Sequence, residues 1–170
     1  MILFTTDRLK VRQIDENDVD NLFKVYSNRD VVTYVDDGEP IPYADCIRWV
    51  EITKKNYQTY GYGMSAIESK SDGGLMGFVG LVHPGGQPET EIKYAFLPPF
   101  WGKGYATEVV RGMLAYGRSE FDINYVIATI SPANAASRRV LEKSGMSFFK
   151  LVDNEDGSQT EVLAWQPNPA

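Results

Sequence analysis

The sequence contains little of what several classes of protein depend on. It has one cysteine, Cys46, and one histidine, His83, so it excludes an internal disulfide framework and gives no basis for a zinc site. No apolar run approaches the roughly 18 residues of a membrane-spanning helix, and the stretch at residues 1–4 lacks the basic region and cleavage site of a secretory signal. We therefore expect a cytoplasmic protein with neither a metal cofactor nor a membrane partner.

Basic residues are outnumbered by acidic ones. The chain has 17 Lys and Arg against 23 Asp and Glu, for a net charge of −6. Nucleic-acid binding needs clustered basic side chains, so we expect no nucleic-acid partner, whereas a cationic amine suits an acidic surface. The 170 residues, 43% of them hydrophobic, suffice for one core. We predict a single domain at residues 5–165 and a tail at 166–170.

The most informative segment is a glycine turn between a predicted strand and a predicted helix, at residues 96–108. Gly102 and Gly104 let the backbone approach an anion without a Cβ in the way, and the first turn of the following helix leaves N–H groups unpaired. This arrangement predicts a diphosphate-binding turn. It is not a Walker loop, because Lys103 is followed by glycine and not by Ser or Thr.

The glycine pattern gives only weak support to a dinucleotide-binding site, but that interpretation stays open. The pattern Gly-x-Gly-x-x-Gly/Ala begins well at Gly102 and Gly104, but Thr107 stands where a small residue is needed. Asp122 lies where a ribose-binding acid would be expected. A nicotinamide-dependent enzyme is therefore one alternative.

The segments around the turn resemble a known family. The order is strand, Trp-Gly-Lys-Gly-Tyr-Ala-Thr-Glu, helix, strand, Asn-x-x-Ser, short helix and Glu-Lys-x-Gly-Met. It resembles the GNAT superfamily of N-acetyltransferases, and in particular the branch that acetylates the N-termini of ribosomal proteins. The opening at residues 5–12 is similar to the first strand of that branch, so the resemblance runs from residue 5 to about residue 165.

The resemblance implies a fold with which the element order agrees. A strand, two helices, three strands, a helix, a strand, a helix and a hairpin predict a mixed α/β domain. The expected GNAT fold is a mostly antiparallel, twisted sheet of about seven strands with a splayed parallel pair, flanked by about four helices. In the family, the pantetheine arm of acetyl-CoA fills the opening of that pair.

The resemblance also implies the residues that bind acetyl-CoA. The main chain of the turn would hold the diphosphate, although Trp101 stands where the family usually has Gln or Arg. Lys103 is either a supplementary charge near the phosphates or an ordinary surface lysine. Free backbone groups at the end of the strand would pair with the pantetheine arm, and the Asn-x-x-Ser motif would lie near the sulfur. The full set is Phe96, Leu97, Trp101, Gly102, Lys103, Gly104, Tyr105, Ala106, Thr107, Asn134 and Ser137.

Acetyl transfer to an amine needs a base, a site for the oxyanion and a proton for the thiolate that leaves. By resemblance, Ser137 would serve the thiolate, unless it only completes a helix turn capped by Asn134. For the base, the first choice is Glu91, in a Glu-Ile-Lys-Tyr stretch that matches the family's Glu-Ile-Gly-Tyr except at Lys93. The alternative is that Glu91 pairs with Lys93 or with another strand on the solvent side. The other base candidates are Glu89, His83 and a water relay.

The acceptor is the least determined part of the prediction. Resemblance to the ribosomal branch favours a protein N-terminal α-amine. A small amine, such as an amino acid, a polyamine or an antibiotic, is an alternative, as is a domain that binds an acyl-CoA without transferring it.

We expect Cys46 in the core, and we expect the protein to be a monomer or a homodimer. Aromatic residues either line the acceptor pocket or pack in the core, namely Trp49, Tyr57, Tyr60, Tyr62 and Trp101.

Overall fold

The computed structural model describes residues 1–35 and 37–168, so the last two residues of the predicted tail lie outside it. It contains one eight-stranded sheet in the order β1-β2-β3-β4-β5-β6-β8-β7. The strands are β1 Ile2–Thr5, β2 Leu9–Gln13, β3 Met64–Ser69, β4 Leu75–Val82, β5 Thr90–Phe96, β6 Val126–Ile130, β7 Ser147–Asp153 and β8 Gln159–Trp165. The helices are α1 Val19–Tyr26, α2 Arg29–Val32, α3 Tyr43–Tyr60, α4 Tyr105–Phe121 and α5 Ala135–Lys143.

The mixed, mostly antiparallel sheet is confirmed. Strands β5 and β6 are parallel, and the other neighbouring pairs among the described strands are antiparallel. Two elements exceed the predicted count. Strand β1 adds an eighth strand at the sheet edge, and α2 adds a fifth, single-turn helix.

Each face of the sheet carries its own hydrophobic core. On one face, Ile92 and Phe96 of β5 pack with Val110 and Met113 of α4. On the other face, Ala95 packs with residues of α1, α2 and α3. This second core includes Cys46, which is fully buried, as expected. Because successive strand residues point to opposite faces, β5 contributes side chains to both sides of the molecule.

The sheet has a five-stranded part and a three-stranded part. The parts meet between β5 and β6, which pair at only two positions, Thr90 with Val126 and Glu91 with Ile127. The three-stranded part ends in β7, which is exposed along its whole length and carries a bulge between Phe148 and Lys150. Within the described residues, no helix has the length and apolar character needed to cross a membrane.

Candidate functional site

The site begins where β5 and β6 separate. Their ladder ends at Glu91, and five residues of β5, 92–96, continue beyond it. Leu97 N–H bonds to Met76 O at 2.9 Å on the β4 side, so the alternation of an antiparallel ladder turns the main-chain groups of Tyr94 and Phe96 toward the gap. The splayed parallel pair predicted from the family resemblance is therefore present.

The expectation of free backbone groups at the end of this strand is wrong for Leu97. Its N–H is bonded to Met76, and its carbonyl accepts a hydrogen bond from Phe100 N–H at 3.0 Å. The Phe96 carbonyl does face the gap, but the indole Nε1 of Trp101 donates to it at 2.7 Å. The Trp101 side chain thus folds back onto β5, although about half of the residue stays exposed to solvent. Of these two residues, Tyr94 is therefore the one that we expect to offer its main-chain carbonyl to the opening.

Residues 101–107, which we call the glycine cradle, link β5 to α4. Gly102 and Gly104 both have positive φ, +72° and +82°, a conformation that strains any residue with a Cβ. A Cβ built at Gly102 would meet no atom within 4 Å, so the surface there is open to a ligand. Gly104 is the N-cap of α4 and provides no side chain to its first-turn N–H groups. These groups are therefore suited to an anion such as a diphosphate.

Arg8 and Glu108 brace the cradle from outside, and the sequence analysis assigned neither of them to the site. Arg8 Nη1 donates to the carbonyl of Lys103 at 3.0 Å, and its guanidinium lies 4.0 Å from the ring centroid of Tyr105. Arg8 Nε also donates to Glu108 at 2.7 Å. Burial raises the pKa of Glu108, but hydrogen bonds from Thr6 and Arg8 outweigh it, so the pKa lies below its usual value. Glu108 is therefore a stable carboxylate partner for Arg8.

Ser137 lies in the first turn of α5, on the face of the sheet that α4 covers. Asn134 caps this helix, because its side-chain oxygen accepts from Ser137 N–H at 3.1 Å. The Ser137 hydroxyl lies 2.7 Å from the Tyr94 hydroxyl. Burial raises the pKa of Tyr94 to about 12, although the bond to Ser137 opposes the shift. Tyr94 therefore keeps its proton at neutral pH, so either of the two hydroxyls can donate the hydrogen bond to the other.

Glu91 lies at the vertex of the opening, on the opposite face. It is 3% exposed. Its two carboxylate oxygens accept from Thr129 Oγ1 at 2.8 Å and from Gln87 Nε2 at 3.2 Å, and Lys93 Nζ is 3.6 Å away. We call Glu91, Lys93 and Thr129 the Glu91 face. It combines a buried carboxylate with an ammonium whose side chain is 46% exposed.

The other base candidates occupy different surroundings. Both ring nitrogens of His83 have partners: Nδ1 lies 3.1 Å from the Gln87 carbonyl and Nε2 lies 2.7 Å from the Tyr62 hydroxyl. Because a carbonyl only accepts, Nδ1 carries a proton and Nε2 accepts from Tyr62 in the neutral ring. Glu89 is exposed. Neither side chain is placed as Glu91 is, in a buried position at the end of the β5–β6 ladder.

A cleft of about 1830 Å³ runs through the opening and reaches both faces. It brings together Glu91, Tyr94, Ser137 and most of the glycine cradle. Of the aromatic candidates, Trp49, Tyr60 and Trp101 line it. Tyr57 instead belongs to the core, where its hydroxyl accepts from Ile14 N–H and donates to the Met64 carbonyl. Tyr62 packs beside the other core and bonds to His83.

Comparison with known proteins identifies the family. The family model for the acetyltransferase (GNAT) domain matches residues 8–147. The uncharacterized protein YkkB from Bacillus subtilis (strain 168) is 34% identical over 150 residues, covering 86% of each chain. The uncharacterized N-acetyltransferase YoaA from the same strain is 30% identical over 148 residues, covering 84% of this chain and 81% of YoaA. The chain therefore belongs to the acetyltransferase (GNAT) family and is an N-acetyltransferase.

Solved structures agree on the fold. An acetyltransferase (GNAT family) from Bacillus anthracis superposes with a TM-score of 0.80 at 25% identity over 98% of both chains. RimL, a ribosomal-protein α-N-acetyltransferase crystallised with coenzyme A, gives a TM-score of 0.82 at 17% identity over 98% of both chains. A spermidine N-acetyltransferase from Vibrio cholerae, crystallised with CoA and spermine, gives 0.75 at 17% identity over 93% of this chain and 95% of its own. Structures with different acceptors thus share this fold.

Four residues at the site were not found in the sequence analysis, for three different reasons. Arg8 and Glu108 are 100 residues apart, and no local pattern connects them. Thr129 lies within a β-branched run that reads only as a strand. Strand alternation could have indicated Tyr94, because a residue three positions from Glu91 lies on the opposite face of the sheet.

Proposed function

We propose that the protein transfers the acetyl group of acetyl-CoA directly to a primary amine in the cytoplasm, with a protein N-terminal α-amine as the favoured acceptor. The observation that carries the proposal is the opening of β5 from β6 directly beside the glycine cradle. The gap offers main-chain groups of Tyr94 to an extended ligand, and the cradle offers the N–H groups at the start of α4 to a diphosphate. A long, narrow cofactor with a phosphate end fits both.

The main chain of the glycine cradle would hold the diphosphate, with Lys103 near it, and the open edge of β5 would hold the pantetheine arm. When bound, acetyl-CoA supplies the acetyl group and a thiolate leaving group. Glu91 would take the proton of the acceptor ammonium, so that the amine nitrogen can form the new C–N bond as the C–S bond breaks. Ser137 would donate a hydrogen bond to the departing sulfur.

Residues on opposite faces of the sheet divide these tasks. Glu91 and Thr129 lie on one face, whereas Tyr94 and Ser137 lie on the other. The acceptor would enter on the side of Glu91 and the leaving sulfur would lie on the side of Ser137. The cleft through the opening supports this arrangement because it reaches both faces of the sheet.

The acceptor preference rests on resemblance to the ribosomal branch and on the likeness to RimL. The likeness to the spermidine enzyme supports a small amine as the second candidate.

The test is calorimetric titration of the purified protein with acetyl-CoA, CoA and NAD, followed by thiol release against a panel of amines and peptides. We expect binding of both CoA species, no binding of NAD, and thiol release with at least one primary amine. Binding without thiol release from any acceptor of the panel would overturn the proposed transfer to a primary amine. Absence of CoA binding would overturn the proposal.

A further inference from the structure

Lys93 occupies an unusual place on the strand. It lies two residues beyond the last position at which β5 pairs with β6. On the other flank, the residue opposite it on β4 is Gly80, so no side chain stands across from it there. The Lys93 side chain, 46% exposed, therefore projects into the cleft beside the point where the strands separate.

The neighbour of Lys93 is the proposed base. Nζ of Lys93 is 3.6 Å from Oε2 of Glu91. Glu91 already has hydrogen bonds from Thr129 and Gln87, so Lys93 is a third partner at longer range. The two residues present adjacent charges of opposite sign to anything that enters the cleft on this face.

The remaining charges of the cleft are arranged differently. The described lining residues include the acids Asp30, Asp37 and Asp156 and two further cations, Arg139 and Lys143. Both of those cations are on α5, and both are exposed. Among the described cleft residues, Lys93 is thus the cation that comes from the sheet itself, next to Glu91. An acceptor with several positive charges would set one of them against this lysine, at a cost in affinity.

We propose that Lys93 selects acceptors that carry a carboxylate close to the reacting amine. The acceptor ammonium faces Glu91, and its carboxylate accepts charge-assisted hydrogen bonds from Lys93. A free α-amino acid and a peptide with an N-terminal aspartate both supply this chemistry. The inference rests on the proposed function and specifies the acceptor class for the same site.

The experiment uses matched acceptors that differ only in the carboxylate. One pair is an α-amino acid and its α-amide, and the other is a peptide with N-terminal aspartate and the same peptide with asparagine. We expect kcat/KM to favour the carboxylate member by on the order of tenfold. The pair with the larger ratio of kcat/KM values shows whether the preferred carboxylate belongs to a free amino acid or to a peptide. Calorimetric binding of the same acceptors to the enzyme–CoA complex provides a second readout without turnover.

Lys93→Met tests the residue. We expect this variant to lose the preference through a drop on the carboxylate members alone, and Lys93→Glu to shift the preference toward a diamine. The matched control is Lys55→Met, an exposed lysine of α3 outside the cleft, which should retain the wild-type ratio.

Two results would overturn the inference and leave the acetyltransferase in place. One is an equal rate on both members of each pair in the wild type. The other is an equal loss of kcat/KM on both members of each pair in Lys93→Met. That result would mean that Lys93 supports Glu91 and does not recognise the carboxylate of the acceptor. If no acceptor releases thiol although CoA binds, the proposed function fails. The binding ratio on the CoA complex then still decides whether Lys93 recognises a carboxylate.

Discussion

The glycine cradle and the Glu91 face lie at two ends of one strand, but they are built in different ways. The cradle is one continuous segment, and its working groups belong to the main chain. The Glu91 face combines side chains from β5 and β6, and the loop residue Gln87 donates a hydrogen bond to it. The cleft beside it is lined by helices and by the β7–β8 turn. Under the proposed function, this difference would let the acceptor site change while the cofactor site stays the same.

The largest expected effect separates chemistry from cofactor binding. Glu91→Gln keeps the shape of a group that accepts from Thr129 but cannot take a proton, so kcat should fall by roughly 10²–10⁴-fold. The Kd for acetyl-CoA should be unchanged. Steady-state kinetics and calorimetry on the same preparation measure both.

Glu89→Gln is the control, because this exposed carboxylate is two residues away and was the neighbouring base candidate. It should retain wild-type kcat. A full loss of activity in Glu89→Gln with none in Glu91→Gln would reverse the assignment.

The second prediction concerns the cradle. Gly104→Val places a β-branched residue at φ +82° and should weaken acetyl-CoA binding by roughly two orders of magnitude, because the α4 N–H groups lose their alignment. Gly73→Val is matched to it, since Gly73 has φ +74° in the β3–β4 turn with no atom near its Cβ position. Both variants should lose about 1–2 kcal/mol of stability.

Only the Gly104 variant should lose affinity for acetyl-CoA. Thermal unfolding measures the shared strain, and calorimetric titration measures the difference. Equal affinities in the two variants would show that the cradle does not bind the cofactor.

The third prediction tests whether Tyr94 acts through Ser137. Removing the phenol hydroxyl in Tyr94→Phe should lower kcat by up to about tenfold, the range of one hydrogen bond. The same substitution in a Ser137→Ala background should have no further effect, because the partner is gone. The control is Tyr116→Phe. Tyr116 lies on α4 and, like Tyr94 on β5, is partly buried. Equal losses in both backgrounds would mean that Tyr94 acts independently of Ser137.

The smallest expected effect concerns the brace of the cradle. Arg8→Lys keeps the charge but loses the planar fork, so KM for acetyl-CoA should rise by roughly threefold while kcat stays constant. A change in kcat alone would place Arg8 outside cofactor binding.

Glu108 gives this brace a pH dependence. Its pKa in the folded protein lies below its ordinary value of 4.5, so its carboxylate stabilises the fold above that pH, and the contribution is lost as the pH falls through the lowered pKa. Glu108→Gln should therefore be less stable than the wild type at neutral pH and approach it in acid. Urea unfolding between pH 7 and pH 3 measures the difference. A constant difference would contradict the prediction.

The sequence was most informative where function follows from local backbone geometry. Gly102 and Gly104 indicate a turn whose backbone needs the freedom of glycine, and both have positive φ in the structure. The spacing of Val110 and Met113 marks the buried face of α4. The short elements could not be predicted in this way. Strand β1 has four residues at the edge of the sheet, and α2 is a single turn without a measurable period.

Long-range contacts were also beyond the sequence. Nothing local shows that Arg8 reaches Glu108, that Thr129 bonds to Glu91, or that the Leu97 N–H is taken by Met76. The same limit applies to the acceptor, because the residues around the Glu91 face come from distant parts of the chain.

The short ladder between β5 and β6 has a consequence for cooperativity. Two residue pairs join the five-stranded and three-stranded parts of the sheet, so the three-stranded part is the natural unit for partial opening, with exposed β7 at its edge. A cofactor lying in the gap would act as a removable strand that couples the two parts. We therefore expect amide hydrogen exchange to slow in β8 when acetyl-CoA binds, although β8 is separated from the gap by β6.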